Sequence, residues 1–230
     1  MSLLLTILSL PERASHALAC GDVHVERAWL SGGELDAARS AAAQLRTSGH
    51  AALAGGRRDL AVRDCSSLDL LDDAVSLPAA LLNIVARVDD LRCSLAEHTG
   101  RKLVESAELQ LLHYGSGGRY ARHVDDGVCT AARPLRRSIS LLLYLTPDDW
   151  QDADGGSLRI HGSGGHVDVT PTAGSLVLFD SATVPHEVCV TWRERTVIVG
   201  WLLEPRACRR AVHFMVRVKC TRCTDGHGAV

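Results

Sequence analysis

Four residues of this 230-residue chain have the types and spacing that suit redox metal chemistry: His123, Asp125, His186 and Arg195. The first two stand in the tripeptide His-Val-Asp, His186 follows 61 positions after the aspartate, and Arg195 comes nine positions later. Two imidazoles and one carboxylate can cover one face of a non-haem Fe(II) ion and leave the opposite face open. A His-x-Asp pair alone is common by chance. The second histidine and the arginine, each in a strand-like run, give the set its weight. Side chains at i and i+2 of a strand share a face, so His123 and Asp125 are expected to reach one metal from one side. His186 follows Pro185 and opens an apolar run, which suits a ligand at a strand end.

Arg195 precedes Thr-Val-Ile-Val-Gly-Trp-Leu-Leu, and an arginine opening so apolar a run is expected to point inward. A buried guanidinium must find a partner. Its planar fork suits a carboxylate held by two parallel hydrogen bonds. Asp180 or Glu204 would make it a structural ion pair; an acidic cosubstrate would make it a binding group.

The elements that must position these groups fall into two parts. Residues 24–29 read as a strand leading into a helix. Ser31 with Glu34 three residues on forms a capping box. Leu35, Ala38, Ala42 and Leu45 then recur at helical spacing up to Gly49. Residues 50–75 read as loop. A second helix is expected from Ser76 to about Thr99, with Pro78 in its first turn, Leu81, Ile84, Val88, Leu91 and Leu95 along one face, and Gly100 as its stop. After Gly100, short apolar runs alternate with turn residues: 109–114, 119–124, 139–145, 157–161, 167–169, 175–179, 187–192 and 196–203. That pattern predicts a β-sandwich or barrel of jelly-roll type buttressed by the preceding helices. The fold class is therefore α+β, mainly β. The expected organisation is an N-terminal extension over 1–20, one domain over 21–205 with its β core at about 105–204, and a tail over 206–230.

The net charge of −2 predicts no strong attraction to nucleic acid or to an anionic membrane. No run approaches the roughly 20 apolar residues of a membrane span. The apolar stretch Leu3–Leu10 lacks a preceding positive charge and is short for a secretory signal, so it is expected to pack on the domain. Of the eight cysteines, only Cys220 and Cys223 form a CxxC; with Cys208, His213 or His227 they would supply zinc donors. Free thiols in a reducing cytoplasm or nucleus are the expectation. Arg133, Arg136 and Arg137 form a basic cluster that reads as a solvated loop end before a strand.

Several motifs together resemble the 2-oxoglutarate- and Fe(II)-dependent prolyl 4-hydroxylases, above all the branch of the hypoxia-inducible-factor prolyl hydroxylases and its protist and bacterial relatives. They are Tyr114-Gly-Ser-Gly-Gly-Arg-Tyr-Ala-Arg-His-Val-Asp125, Ser140-Leu-Leu-Leu-Tyr-Leu145 followed by Asp149-Trp150, Asp154-Gly-Gly-Ser-Leu-Arg-Ile160, Pro171-Thr-Ala-Gly-Ser-Leu-Val-Leu-Phe179, Pro185-His-Glu-Val188 and the run from Arg195 to Trp201. The resemblance implies a double-stranded β-helix core. It implies that His123, Asp125 and His186 bind iron. Arg195 would hold the distal carboxylate of 2-oxoglutarate with a hydrogen bond from Tyr144, and Tyr114 would line the pocket. Arg137 and Trp201 would contact the substrate proline. The implied cofactors are Fe(II), 2-oxoglutarate, O2 and ascorbate, and the implied partner is a proline-containing protein or peptide, an oxygen-sensing role included.

The chain departs from that pattern in three places. The segment between Asp125 and Tyr144 is longer and carries Cys129 and the arginines. Val62-Arg63-Asp64 stands where the family would have a tryptophan. The tail after 205 has no counterpart. A second reading is a 2-oxoglutarate oxygenase acting on another residue, a free amino acid or a nucleic acid. AlkB-type nucleic-acid demethylases would want an arginine six residues after Arg195, where this chain has Trp201, and aromatics are scarce for single-strand binding. A third is a binding module on the same fold, but such a copy would usually have lost a ligand or the arginine.

Overall fold

The computed structural model describes residues 8–47, 52–53, 62–126 and 134–206. In chain order the elements are α1 (Leu10–Cys20), β1 (His24–Glu26), α2 (Gly32–Thr47), β2 (Ala52–Leu53), β3 (Ser66–Asp69), α3 (Ala79–Thr99), β4 (Ala107–Tyr114), β5 (Tyr120–His123), β6 (Leu135–Tyr144), a short 3-10 turn (Asp152–Asp154), β7 (Leu158–Gly162), β8 (Gly165–Val169), β9 (Leu176–Asp180), β10 (His186–Val188) and β11 (Arg195–Pro205). They form a seven-stranded major sheet in the order β1-β9-β6-β11-β4-β3-β2 and a four-stranded minor sheet, β5-β10-β7-β8. All the pairings are antiparallel. This is the jelly-roll core with helices on one face that the sequence predicts.

The central strands of the major sheet are buried on both faces, which is why they read as near-continuous apolar runs. Alternation then sorts their side chains into two cores. Leu109, Leu111, Ile139, Leu141, Leu143, Leu176, Leu178, Ile198 and Leu202 meet the helices through Leu35, Leu45, Leu81, Ile84, Val88 and Leu95. Leu112, Tyr114, Leu142, Tyr144, Val177, Phe179, Val197, Val199 and Trp201 face the minor sheet through Leu158 and Val188, with Val184 from the loop before β10. Arg195 shares the phase of Val197, Val199 and Trp201, so the register of β11 aims its guanidinium between the sheets.

The N-terminal helix is fixed by a capping box between Ser9 and Glu12, and by Gly21, whose left-handed backbone ends it. Ala14 and Leu18 enter the helical core. The helix α3 starts one residue after Pro78, which sits at the cap rather than in the first turn, and Gly100 closes it with φ +68°. No described helix is long and apolar enough to cross a membrane.

Four local expectations need correction. The segment 50–75 is not all loop: β3 pairs with β4, and Leu68 and Leu70 are buried. Its run Ser-Ser-Leu-Asp is too short and polar to show a period. The strand expected over 187–192 spans only His186–Val188, and Trp192 is exposed. Arg136 and Arg137 are not a loop end. They lie inside β6 and pair with Glu204 and Glu108, two acids that β11 and β4 bring alongside. Asp125 lies in the turn just past β5, so its common face with His123 comes from that turn and not from strand alternation. Gly49, Cys129, Arg133 and the CxxC tail lie outside the described residues.

Candidate active site

The two histidines are brought together by strand pairing. His123 ends β5, His186 begins β10, and the two are direct cross-strand partners. The following turn carries Asp125 back between them. Its Oδ1 lies 3.4 Å from His123 Nε2 and its Oδ2 lies 3.8 Å from His186 Nε2. One donor atom from each of the three falls within 4.8 Å of the others.

The surroundings orient these donors. His123 Nδ1 lies 2.8 Å from the Ala121 carbonyl and His186 Nδ1 lies 3.1 Å from the Val184 carbonyl. A proton on each Nδ1 makes both contacts hydrogen bonds and leaves each Nε2 lone pair facing Asp125, the usual outer-shell arrangement of ligating histidines. Burial pushes the His186 imidazole below its ordinary pKa, with His123 adding to the effect, so it stays in the neutral, ligating form. Burial alone would raise the Asp125 carboxyl. The neighbouring His123 and His186, the Ser140 hydroxyl and the Trp201 indole outweigh that and hold it well below the usual carboxylate range. Ser140 donates to Asp125 Oδ2 at 2.6 Å. The ring of Tyr120 stacks on His123 at 3.7 Å and Phe179 packs against His186.

Arg195 lies across the cavity. It is fully buried, and Nε and both terminal nitrogens have no hydrogen-bond partner. The acids that might have claimed it are committed elsewhere: Asp180 to Arg101 and Glu204 to Arg136. Its guanidinium carbon is 5.0 Å from the ring centres of both Tyr114 and Tyr144. Tyr114 is its register partner on β4, and Tyr144 comes from β6 on the other side. Burial pushes both phenols up, so each remains protonated, and the Tyr144 hydroxyl also lacks a partner. A fork of five N–H donors beside an unused phenol, sealed from water, is a receptor for a carboxylate. The donor set near Asp125 and this orphaned cation together fit an iron ion and an acidic cosubstrate.

The structure thus brings together the site residues that the resemblance implies. His123, Asp125, His186, Arg195, Tyr114, Arg137 and Trp201 line one cavity, and Tyr144 stands directly behind Arg195. The Arg137 guanidinium carbon lies over the Trp201 ring, 3.5 Å from its centre. Sequence reading missed Ser140, Tyr120 and Arg63 as site residues. The phase of Leu142 and Tyr144 on β6 could have found Ser140. Arg63 stands in a stretch with no periodic signal.

Residues 109–203 match the family model of the 2OG-Fe(II) oxygenase superfamily. Within it, the chain is similar to hydroxylases. A PKHD-type hydroxylase of Colwellia psychrerythraea is 34% identical over 100 residues, which cover 43% of this chain and 44% of that protein. The match spans about half the length of the curated relatives. A Pseudomonas putida prolyl-4-hydroxylase superposes with a TM-score of 0.73 at 27% identity, over 84% of this chain and 98% of the other. A Trichoplax adhaerens prolyl hydroxylase, solved with a hypoxia-inducible-factor peptide fragment, shares the fold at a TM-score of 0.70 and 24% identity, over 84% and 90% of the two chains.

Proposed function

We propose that this protein is a 2-oxoglutarate- and Fe(II)-dependent dioxygenase that hydroxylates a proline residue in a protein or peptide. The observation that carries the reading is the pairing of a two-histidine, one-carboxylate cluster with a fully buried, unpartnered arginine in one cavity. His123, Asp125 and His186 would hold the iron. Arg195 and Tyr144 would hold the distal carboxylate of 2-oxoglutarate, and Tyr114 would close the wall beside them. Bound iron and 2-oxoglutarate supply the oxidising chemistry: O2 is split between succinate, formed with CO2, and the hydroxyl placed on the substrate.

The chain's own residues do the positioning. Ser140 fixes the Asp125 carboxylate, and the Ala121 and Val184 carbonyls fix the histidine rings. The apolar lining of Leu112, Leu142, Val188 and Val199 excludes water from the reacting groups. Trp201 and Arg137, packed against one another in the cavity wall, would contact the substrate proline. Similarity to the Pseudomonas putida prolyl-4-hydroxylase supports proline as the target. Ascorbate would keep the iron reduced. A reducing compartment, cytoplasm or nucleus, suits the free thiols of Cys20, Cys65, Cys93 and Cys189.

The test is to load the protein with Fe(II), supply 2-oxoglutarate and O2, and measure succinate with and without proline-bearing peptides. Peptide-stimulated succinate, with one oxygen atom added to proline and lost in His123→Ala, is the expected result. Succinate without any oxidised peptide would move the substrate to another class. No succinate from a protein shown to bind iron would overturn the enzyme reading.

A further inference from the structure

The cavity is lined by three arginines, Arg63, Arg137 and Arg195. Arg137 is neutralised by Glu108. Arg195 faces the place reserved for a cosubstrate carboxylate. A divalent iron, Asp125, the two carboxylates of 2-oxoglutarate and Arg195 together cancel. Arg63 is left over. It makes no ion pair among the described residues, and its Nε is buried without a hydrogen-bond partner. An arginine keeps its charge at any ordinary pH, so a half-buried one without a counter-ion carries an unmet desolvation cost.

Its placement is not loose. Residues 62–64 are laced to the strand that carries His123: the Ala121 N–H donates to the Val62 carbonyl at 2.7 Å, and the Asp64 N–H donates to the Arg119 carbonyl at 2.9 Å. An isolated bridge joins Arg63 to Tyr120. The guanidinium carbon sits 4.8 Å from the Tyr120 ring centre, and that ring stacks on His123. The Tyr120 ring thus contacts both Arg63, which has no ion pair among the described residues, and His123 of the candidate metal site.

Resting on the prolyl hydroxylase reading, we propose that Arg63 is a specificity-determining residue that receives an aspartate or glutamate side chain of the substrate polypeptide, close in sequence to the target proline. Extended chain advances about 3.3 Å per residue, so the acid falls within about one to three residues of the proline. A carboxylate fits better than a phosphate. Phosphate readers gather several arginines, whereas the neighbouring Arg137 already has its acid.

The experiment uses fluorescent peptides with one proline and an Asp, Asn or Lys scanned through the three positions on either side. Binding is read by anisotropy on full-length protein with Mn(II) and 2-oxoglutarate. Turnover is read with Fe(II) as KM and kcat for each peptide. An acidic peptide is expected to bind about tenfold or more tightly than its Asn counterpart at one position, as one charge-assisted pair in a half-buried site allows. The preference appears in KM. Arg63→Gln brings the ratio close to one, Arg63→Lys keeps part of it, and Arg63→Glu turns the preference toward the Lys peptide. A gained affinity cannot come from unfolding, so the last variant guards against a trivial loss. Wild-type protein that hydroxylates acidic and neutral peptides equally overturns the role of Arg63 and leaves the hydroxylase standing, as does discrimination that survives in Arg63→Gln. Wild-type protein that binds metal and 2-oxoglutarate yet oxidises no peptide overturns both.

Discussion

Arg195 shows how far one residue can be read. Its burial is legible from the eight-residue run behind it, but its lack of a partner is not. By sequence Asp180 and Glu204 could each claim it, but Arg101 and Arg136 hold them. A buried cation with no partner weakens the free protein, and apolar replacement of such groups is often stabilising. Arg195→Met is therefore expected to unfold at higher urea concentration than the parent without ligands, with a gain of up to about 1–4 kcal/mol. The same change is expected to remove roughly 2–5 kcal/mol of 2-oxoglutarate affinity, as seen by titration calorimetry on the Mn(II) form. A variant that loses stability and still binds 2-oxoglutarate normally would sink the assignment of Arg195.

At the scale of elements, the clearest sequence signals are the long periods. The helix α3 and the central strands are where the apolar pattern puts them, because each buries a regular face. The elements that escape are those whose reason for existing is a neighbour. The edge strand β3 is held by β4, and the arginines of β6 are seated by acids on β11 and β4. A similar junction ties the helical layer to the sheet: Arg101, just past α3, pairs with Asp180 at the end of β9 at 2.8 Å. Burial would raise the Asp180 carboxyl, but Thr183, Arg101 and the Ala182 N–H more than offset it and hold it below its ordinary value of 3.8. The unfolded chain then binds a proton more readily than the folded one. The stability this contributes is present above pH 3.8 and is lost as pH falls through the lower folded value. Asp180→Asn is expected to cost about 1.5–3 kcal/mol at neutral pH. The gap between variant and parent should close on acidification below about pH 4, measured by urea unfolding across pH. A gap that stays constant with pH would show that the charge does not matter there.

For the whole molecule, the site is a joint between two sheets. The proposed iron ligands belong to the minor sheet and its adjoining turn, whereas Arg195, Tyr114 and Tyr144 belong to the major sheet. A metal alone would brace one side; 2-oxoglutarate would reach from that metal to Arg195 and brace both. Mn(II) alone is thus expected to slow amide exchange mainly in β5 and β10. Adding 2-oxoglutarate should extend protection to β11 and β4 and raise global stability by about 2.7 kcal/mol at a hundred times its Kd. Protection of the major sheet by 2-oxoglutarate without any metal would contradict this coupling.

Sequence by itself determined the candidate chemistry and the class of architecture. The ligand types are covalent facts, and the binary period of apolar residues dictates which faces must be buried. From these follow a helical layer, a jelly roll and the candidate set His123, Asp125, His186 and Arg195. Only the tertiary structure decided which charges are already spent. Arg137 and Arg136 prove to be paired, while Arg195 and Arg63 face the cavity unpaired among the described residues. The reason is physical: whether a charge is free depends on distances across strands far apart in the chain, and no local pattern encodes them.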